Sequence, residues 1–197
     1  EKEGPAGSKV LKKRDLGKIN IAPSVSPNGR YMIFLSDKDV ITTDFYLTDL
    51  KKNRIIKKLT KATRSAHIDD YSYLESAGTW SPDNKKFALT SFMDGKNKLI
   101  VFDIDKLHSK KIYEFPNLAF FNNPSWSPDG RTIVVSGLKN GHSDLYMLDL
   151  KDTTSKQLTN DRYSDLQPAF SPDGQKIAFI SDRSEGTDFN EIKFGNY

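Results

Sequence analysis

Four nearly continuous apolar runs punctuate the chain, at Tyr31–Ser36, Lys86–Ser91, Thr132–Ser136 and Lys176–Ser181. In Met32-Ile33-Phe34-Leu35 and Ile177-Ala178-Phe179-Ile180 apolar residues follow one another without alternation. That pattern predicts strands buried on both faces. Directly ahead of the runs stand Ser26-Pro27-Asn28-Gly29, Ser81-Pro82-Asp83-Asn84, Ser127-Pro128-Asp129-Gly130 and Ser171-Pro172-Asp173-Gly174. Proline presets φ at the second turn position, Asp or Asn suits the third, and Gly or Asn accepts left-handed geometry at the fourth. Each motif therefore predicts a tight turn feeding a hairpin.

The turn serines, at 26, 81, 127 and 171, are spaced by 55, 46 and 44 residues. One four-stranded propeller blade occupies about 40–50 residues. A third strand follows in three copies, at Phe45–Leu50, Leu99–Ile104 and Leu145–Leu150, each with an aspartate near its end. A fourth closes the unit at Arg54–Thr60, Lys110–Phe115 and Ser155–Thr159. The pattern predicts an all-β chain, a β-propeller of four-stranded antiparallel blades starting near 22, 77, 123 and 167. No segment has a helical period, and the polar stretch Lys61–Glu75 reads as an insertion that lengthens the first step.

The fourth strand lies at the rim with an unpaired edge, and it carries Lys57-Lys58 and Lys110-Lys111. Lysine on an edge discourages pairing with other chains, so the basic excess reads as edge protection. The net charge of +4 and pI near 9.0 otherwise invite a nucleic-acid reading. The lysines are dispersed along the length, however, and no nucleic-acid partner is assigned. With no cysteine, disulfides and thiolate chemistry are excluded. No apolar run approaches the roughly 20 residues of a membrane-spanning helix, so no membrane insertion by this segment is expected. Glu1–Ser8 lacks the apolar core of a signal peptide, as a processed or trimmed terminus would.

The Pro-x-Trp-Ser-Pro-Asp-Gly pattern resembles the TolB-like propeller family. It is carried by four copies, at 23–29, 78–84, 124–130 and 168–174, of which the third matches in full and the last, with Phe170 for Trp, is led by Leu158-Thr159-Asn160-Asp161 and Asp165-Leu166-Gln167. The resemblance covers roughly residues 20 to 185. At the position before the turn serine stand Trp80, Trp126 and Phe170, with Val25 as the small variant; these are expected to wedge between blades. Such propellers usually have about six blades, so the four visible here imply part of a six-bladed or larger ring. Residues 1–9 read as a flexible tail and 10–197 as blades. Val10–Leu16 reads as an outer strand of a preceding or closing blade, and Asp188–Tyr197 supplies at most a third strand.

Alternating strand direction sends the loops after the second and fourth strands to one face, where binding residues concentrate on a rigid scaffold. That face offers His67, Asp69, Asp70, Tyr71, Tyr73, Glu75, His142, Asp144 and Asp182 as candidate binding residues. No H-x-x-x-H or H-E-x-x-H spacing forces a metal site, and Asp182–Glu191 departs from the calcium-loop pattern. No metal and no cofactor are assigned. There is no G-x-S-x-G elbow, and the repeated serines sit in proline turns, so no catalytic residue is assigned and the chain is read as not an enzyme. The resemblance implies a non-catalytic protein–protein interaction scaffold in the periplasm or envelope of a Gram-negative bacterium. Its partners would be outer-membrane or peptidoglycan-associated proteins. The alternative is an accessory propeller of a larger peptidase or hydrolase whose catalytic domain lies outside this chain.

Overall fold

The computed structural model describes residues 11, 16–39, 43–60, 68–71, 78–107, 109–115 and 117–183, with only the backbone of 68–71. The chain divides into two compact units, residues 1–66 and 67–197. The first unit holds one blade, a sequential antiparallel meander of β1 (Asn20–Val25), β2 (Tyr31–Ser36), β3 (Asp44–Asp49) and β4 (Arg54–Lys58). In the second unit the next blade comprises β5 (Ile68–Tyr71), β6 (Thr79–Trp80), β7 (Lys86–Met93), β8 (Lys96–Asp103) and β9 (Lys110–Tyr113). The third comprises β10 (Phe120–Trp126), β11 (Thr132–Lys139), β12 (His142–Asp149) and β13 (Ser155–Gln157), and the fourth β14 (Asp165–Phe170) and β15 (Ile177–Ser181). The described residues contain no helix, as the lack of a helical period predicts.

Every Ser-Pro-Asx turn is wired alike. In the third copy the Ser127 hydroxyl donates to Asp129 Oδ1 at 2.6 Å and accepts the Thr132 N–H at 3.0 Å, while Asp129 Oδ1 also accepts the Arg131 N–H at 3.0 Å. The same bonds recur around Asn28, Asp83 and Asp173. Because the serine hydroxyl and a backbone N–H favour the charged form, the carboxyls of Asp129 and Asp173 are held below the usual range. Successive turns of the second unit lie side by side. A Cβ added at Gly174 would sit 3.4 Å from Pro128 Cδ, and one at Gly130 3.9 Å from Pro82 Cδ.

Burial on both faces explains the unbroken apolar runs. Ile133 and Val135 of β11 pack toward the second blade with Ala88, Leu99, Val101 and Trp126. Val134, between them, packs toward the fourth with Leu145, Ile177 and Phe179. Trp126 is a buried wedge whose Nε1 donates to the Thr79 carbonyl at 3.2 Å, tying two blades together. Trp80 is buried edge-on against Phe87 at 5.3 Å. In the first unit Leu11 is buried with Phe34 and Tyr46, and Leu16, Met32 and Ile55 pack on them. The 10–16 segment thus reaches the blade through its two described leucines.

The fourth blade leaves its last face open. Leu166 pairs with Ile180, and they are 40% and 54% exposed, whereas the counterparts of Ile180 in the other blades, Leu35, Thr90 and Ser136, are buried. Such a face fits a partial propeller. The tail 1–9 and Asp188–Tyr197 lie outside the described residues.

The reading of Lys61–Glu75 as pure insertion is corrected. Ile68–Tyr71 forms β5, which pairs with β7 in the register Ile68↔Met93, Asp70↔Phe92 and Tyr71↔Ser91. Ile-Asp-Asp-Tyr shows neither alternation nor an apolar run, so only the ladder with β7 makes it a strand.

Candidate functional site

The first strands of the second unit adjoin one another. Besides the Trp126–Thr79 bond, Phe170 N donates to Ser125 Oγ at 3.4 Å, and Gln167 N to Ser136 Oγ at 3.0 Å. Three of the four first strands are bulged at one matching place: between Ile21 and Ser24 in β1, Asn122 and Ser125 in β10, and Leu166 and Ala169 in β14. The bulged residues Ala22, Asn123 and Gln167 have φ of 52°, 50° and 52°, and a proline follows each (Pro23, Pro124, Pro168). Proline has no N–H to give a ladder, so a bulge is where a strand accommodates it. In the second blade Gly78 stands at the proline position with φ 79°. A Cβ there would meet the Phe87 ring at 2.6 Å and the Ala88 carbonyl at 2.7 Å, which accounts for glycine.

The bulges of β10 and β14, with Gly78 and Thr79 of the second blade, line a groove of about 430 Å³ formed by Gly78, Thr79, Asn123, Pro124, Ser125, Gln167 and Pro168. Its lining is hydroxyl, amide, proline ring and backbone, with no ionisable side chain. Such a surface offers neutral hydrogen-bond donors and acceptors beside apolar ring faces. That chemistry suits recognition of an extended polar segment and provides no group for proton transfer at neutral pH.

The sequence candidates are distributed differently. Asp69, Asp70 and Tyr71 lie on β5, a first strand, and not in a free loop. His67, Tyr73 and Glu75 lie outside the described residues. His142 is exposed at the β11–β12 tip, paired with Lys139. Asp182 is exposed, and its Oδ1 accepts the Ser164 N–H at 2.7 Å, as Asp37 accepts that of Ile19 at 2.8 Å in the first blade. Asp144 is buried, taking Gln157 Nε2 at 3.0 Å and the Thr159 hydroxyl at 3.3 Å. Burial pushes its carboxyl up, and the carboxylates of Asp165 and Asp161 add to this. Arg183 spans those two carboxylates, of which Asp165 is fully buried. The described residues bring together no group of three His, Asp or Glu able to hold a metal.

Asp44 of the first blade occupies the position of Asp144 and is also buried, but its cation is Lys58, at 2.7 Å, where the third blade has Gln157. Thr60 and Thr159 repeat the hydroxyl bond, Thr60 at 2.9 Å. Burial pulls the Lys58 ammonium down, but its bonds to Asp39 and Asp44 outweigh that and raise it above the ordinary range. Lys58 is therefore no edge-protecting lysine; it neutralises a buried carboxylate. The groove residues Thr79, Asn123 and Gln167 escaped the sequence reading. The proline three positions before the turn serine in three of the four copies, replaced by Gly78 in the second, was the signal available for them.

Residues 63–194 match the profile of the TolB beta propeller domain. No curated protein sequence matches the chain. Among solved structures, TolB from Acinetobacter baumannii is similar with a TM-score of 0.66 at 21% identity, over 91% of this chain and 41% of that one. A protein assigned as TolB from Agrobacterium tumefaciens gives 0.66 at 22%, over 88% of this chain and 59% of its own. A prolyl endopeptidase gives 0.61 at 15%, over 85% and 27%. The chain thus spans about two fifths to three fifths of the two bacterial structures, and at these identities the likeness concerns the fold.

Proposed function

Because the chain belongs to the TolB beta propeller domain family, we propose that it acts as a non-catalytic protein-binding scaffold in the bacterial cell envelope. The proposed location is the periplasm, and the proposed partners are outer-membrane or peptidoglycan-associated proteins. Capture would use the groove along the first strands, with Tyr71 on β5 and the neighbouring His67, Tyr73 and Glu75 as further contacts. The observation that carries this reading is the recurrence of the bulge in β10 and β14, which with Gly78 and Thr79 turns three successive first strands into one uncharged, hydrogen-bonding trough. Edge-free recognition of a polar segment by such a trough needs no ionisable group.

The test is site-specific photocross-linking in living cells. A photoreactive phenylalanine analogue at Thr79, in the groove, is expected to trap an envelope protein identifiable by mass spectrometry. The same probe at Ile112, exposed on the outer strand β9, is expected to trap none. Equal trapping from both sites, or trapping only of cytoplasmic proteins from Thr79, overturns the proposal.

A further inference from the structure

The chain's positive charge is unevenly matched. Residues 1–66 hold 15 Lys and Arg against 7 Asp and Glu, whereas residues 67–197 hold 15 against 19. Within the first blade the excess concentrates at the two turns that end it. Arg30 follows the Ser-Pro-Asn-Gly turn, Lys51 and Lys52 lie in the β3–β4 turn, and Arg54 opens β4 opposite Asp49; all four are exposed. The two turns are joined by the Leu50 N–H, which donates to the Arg30 carbonyl at 2.8 Å. One carboxylate, Asp49, stands among them, but it is buried and accepts the Lys51 and Lys52 N–H groups, each at 3.0 Å.

The other blades supply an internal comparison. Leu150 N and Arg131 O make the same joint at 3.0 Å, and Ile104 N and Lys85 O at 2.8 Å. There the position of Asn28 is Asp129 or Asp83, the β-turn carries Asp152 or Asp105, and the position of Arg54 is Thr154 or Ser109. The same backbone joint thus carries further carboxylates beside its cations in those blades, whereas in the first the one carboxylate is the buried Asp49. Geometry does not demand the four cations.

We infer that the turn end of the first blade is a docking surface for an anionic lipid bilayer. Arg30, Lys51 and Lys52 sit on turns and Arg54 on the first residue of β4, so the four cations share one end of the sheet. The two turns themselves, 27–30 and 51–53, carry no exposed Trp, Tyr, Phe, Leu, Ile or Met to serve as an apolar anchor for a protein partner. A broad sheet of negative headgroups is the partner that such an exposed cationic tip complements, and each basic residue near it strengthens adsorption about fivefold. The inference is independent of the groove.

The experiment is co-sedimentation of the full chain with vesicles of phosphatidylcholine containing about one third phosphatidylglycerol, at low and high salt, since tenfold more salt shortens the Debye length roughly threefold. Binding to these vesicles and not to pure phosphatidylcholine is expected, weakening steeply with salt. The variant Arg30→Gln/Lys51→Gln/Lys52→Gln/Arg54→Gln is expected to lose on the order of a hundredfold or more. The variant Lys85→Gln/Lys106→Gln/Arg131→Gln/Lys151→Gln removes the same charge from the matching turns and is expected to change binding by less than about fivefold. Circular dichroism melts establish that both variants are folded. Equal losses in the two variants, no binding at low salt, or tighter binding to duplex DNA than to the anionic vesicles each overturns the inference.

Discussion

Replacing Lys58 by methionine tests whether the first blade depends on neutralising a buried carboxylate. Asp44 is fully buried and lies 2.7 Å from the ammonium, whose side chain is 22% exposed. Removing one partner of a buried pair typically costs about 3–5 kcal/mol, because the remaining charge is stranded. Exposure of Lys58 and the Thr60 hydroxyl, which still donates to Asp44 at 2.9 Å, place the expected cost near the lower figure, about 3 kcal/mol. Lys58→Gln is expected to be milder, about 1–2 kcal/mol, because a neutral donor to the carboxylate remains. The third blade already uses that arrangement, with Gln157 on Asp144 at 3.0 Å. Both tryptophans lie outside the first unit, so the appropriate assay is native-state hydrogen exchange of β3 and β4 amides by mass spectrometry. Equal losses for Met and Gln, or a loss below about 1 kcal/mol for Met as in a surface pair, refute the reasoning.

Trp126→Ala is expected to cost about 3–5 kcal/mol in urea unfolding followed through Trp80, and Trp126→Phe distinctly less, since it keeps the packing and loses the bond to Thr79. Gly137→Ala is expected to destabilise by about 1–3 kcal/mol in the same assay. Its Cβ would lie 2.5 Å from Leu118 Cδ1 and 2.7 Å from the Tyr146 ring, and the ring has little room to yield. Acid is expected to loosen the third and fourth Ser-Pro turns before the first. The Asp129 and Asp173 carboxyls titrate below the ordinary carboxylate range, so their stabilisation is complete above that range and is lost as pH falls through the folded values. Asn28 does not titrate, so amide exchange at Arg30 and Tyr31 should stay slow where that at Arg131 and Thr132 quickens.

The blades were legible because their signals are local. A Ser-Pro-Asx turn encodes its own hydrogen bonds within six residues, and a both-faced apolar run declares burial without reference to what buries it. The features that escaped depend on distant partners. Lys57-Lys58 reads as a charged edge until Asp44 is placed across the sheet from Lys58. Ile68–Tyr71 is polar and aperiodic, and β7 alone makes it a strand. Asp144 reads as a loop carboxylate because the apolar run of β12 begins only at Leu145, three residues inside the strand, and the groove is made of neutral residues that carry no chemical flag. Functional candidates chosen by charge therefore favoured residues that the fold commits to its own bonds.

The bulge in three of the first strands has a further consequence. Three residues bridge it in β1, β10 and β14, yet seven, 72–78, bridge the same span between β5 and β6, while the pairing resumes in register at Thr79↔Ala88. A kink that already leaves residues out of the ladder is a splice point: extra chain can be let in without breaking a single pairing on either side. Four such points, one per repeat, allow each copy to acquire its own decoration while the sheets beneath stay unchanged. Diversity among relatives should accumulate there first, and foreign peptides written in after Ala22 or Asn123 should be displayed by a scaffold that still folds.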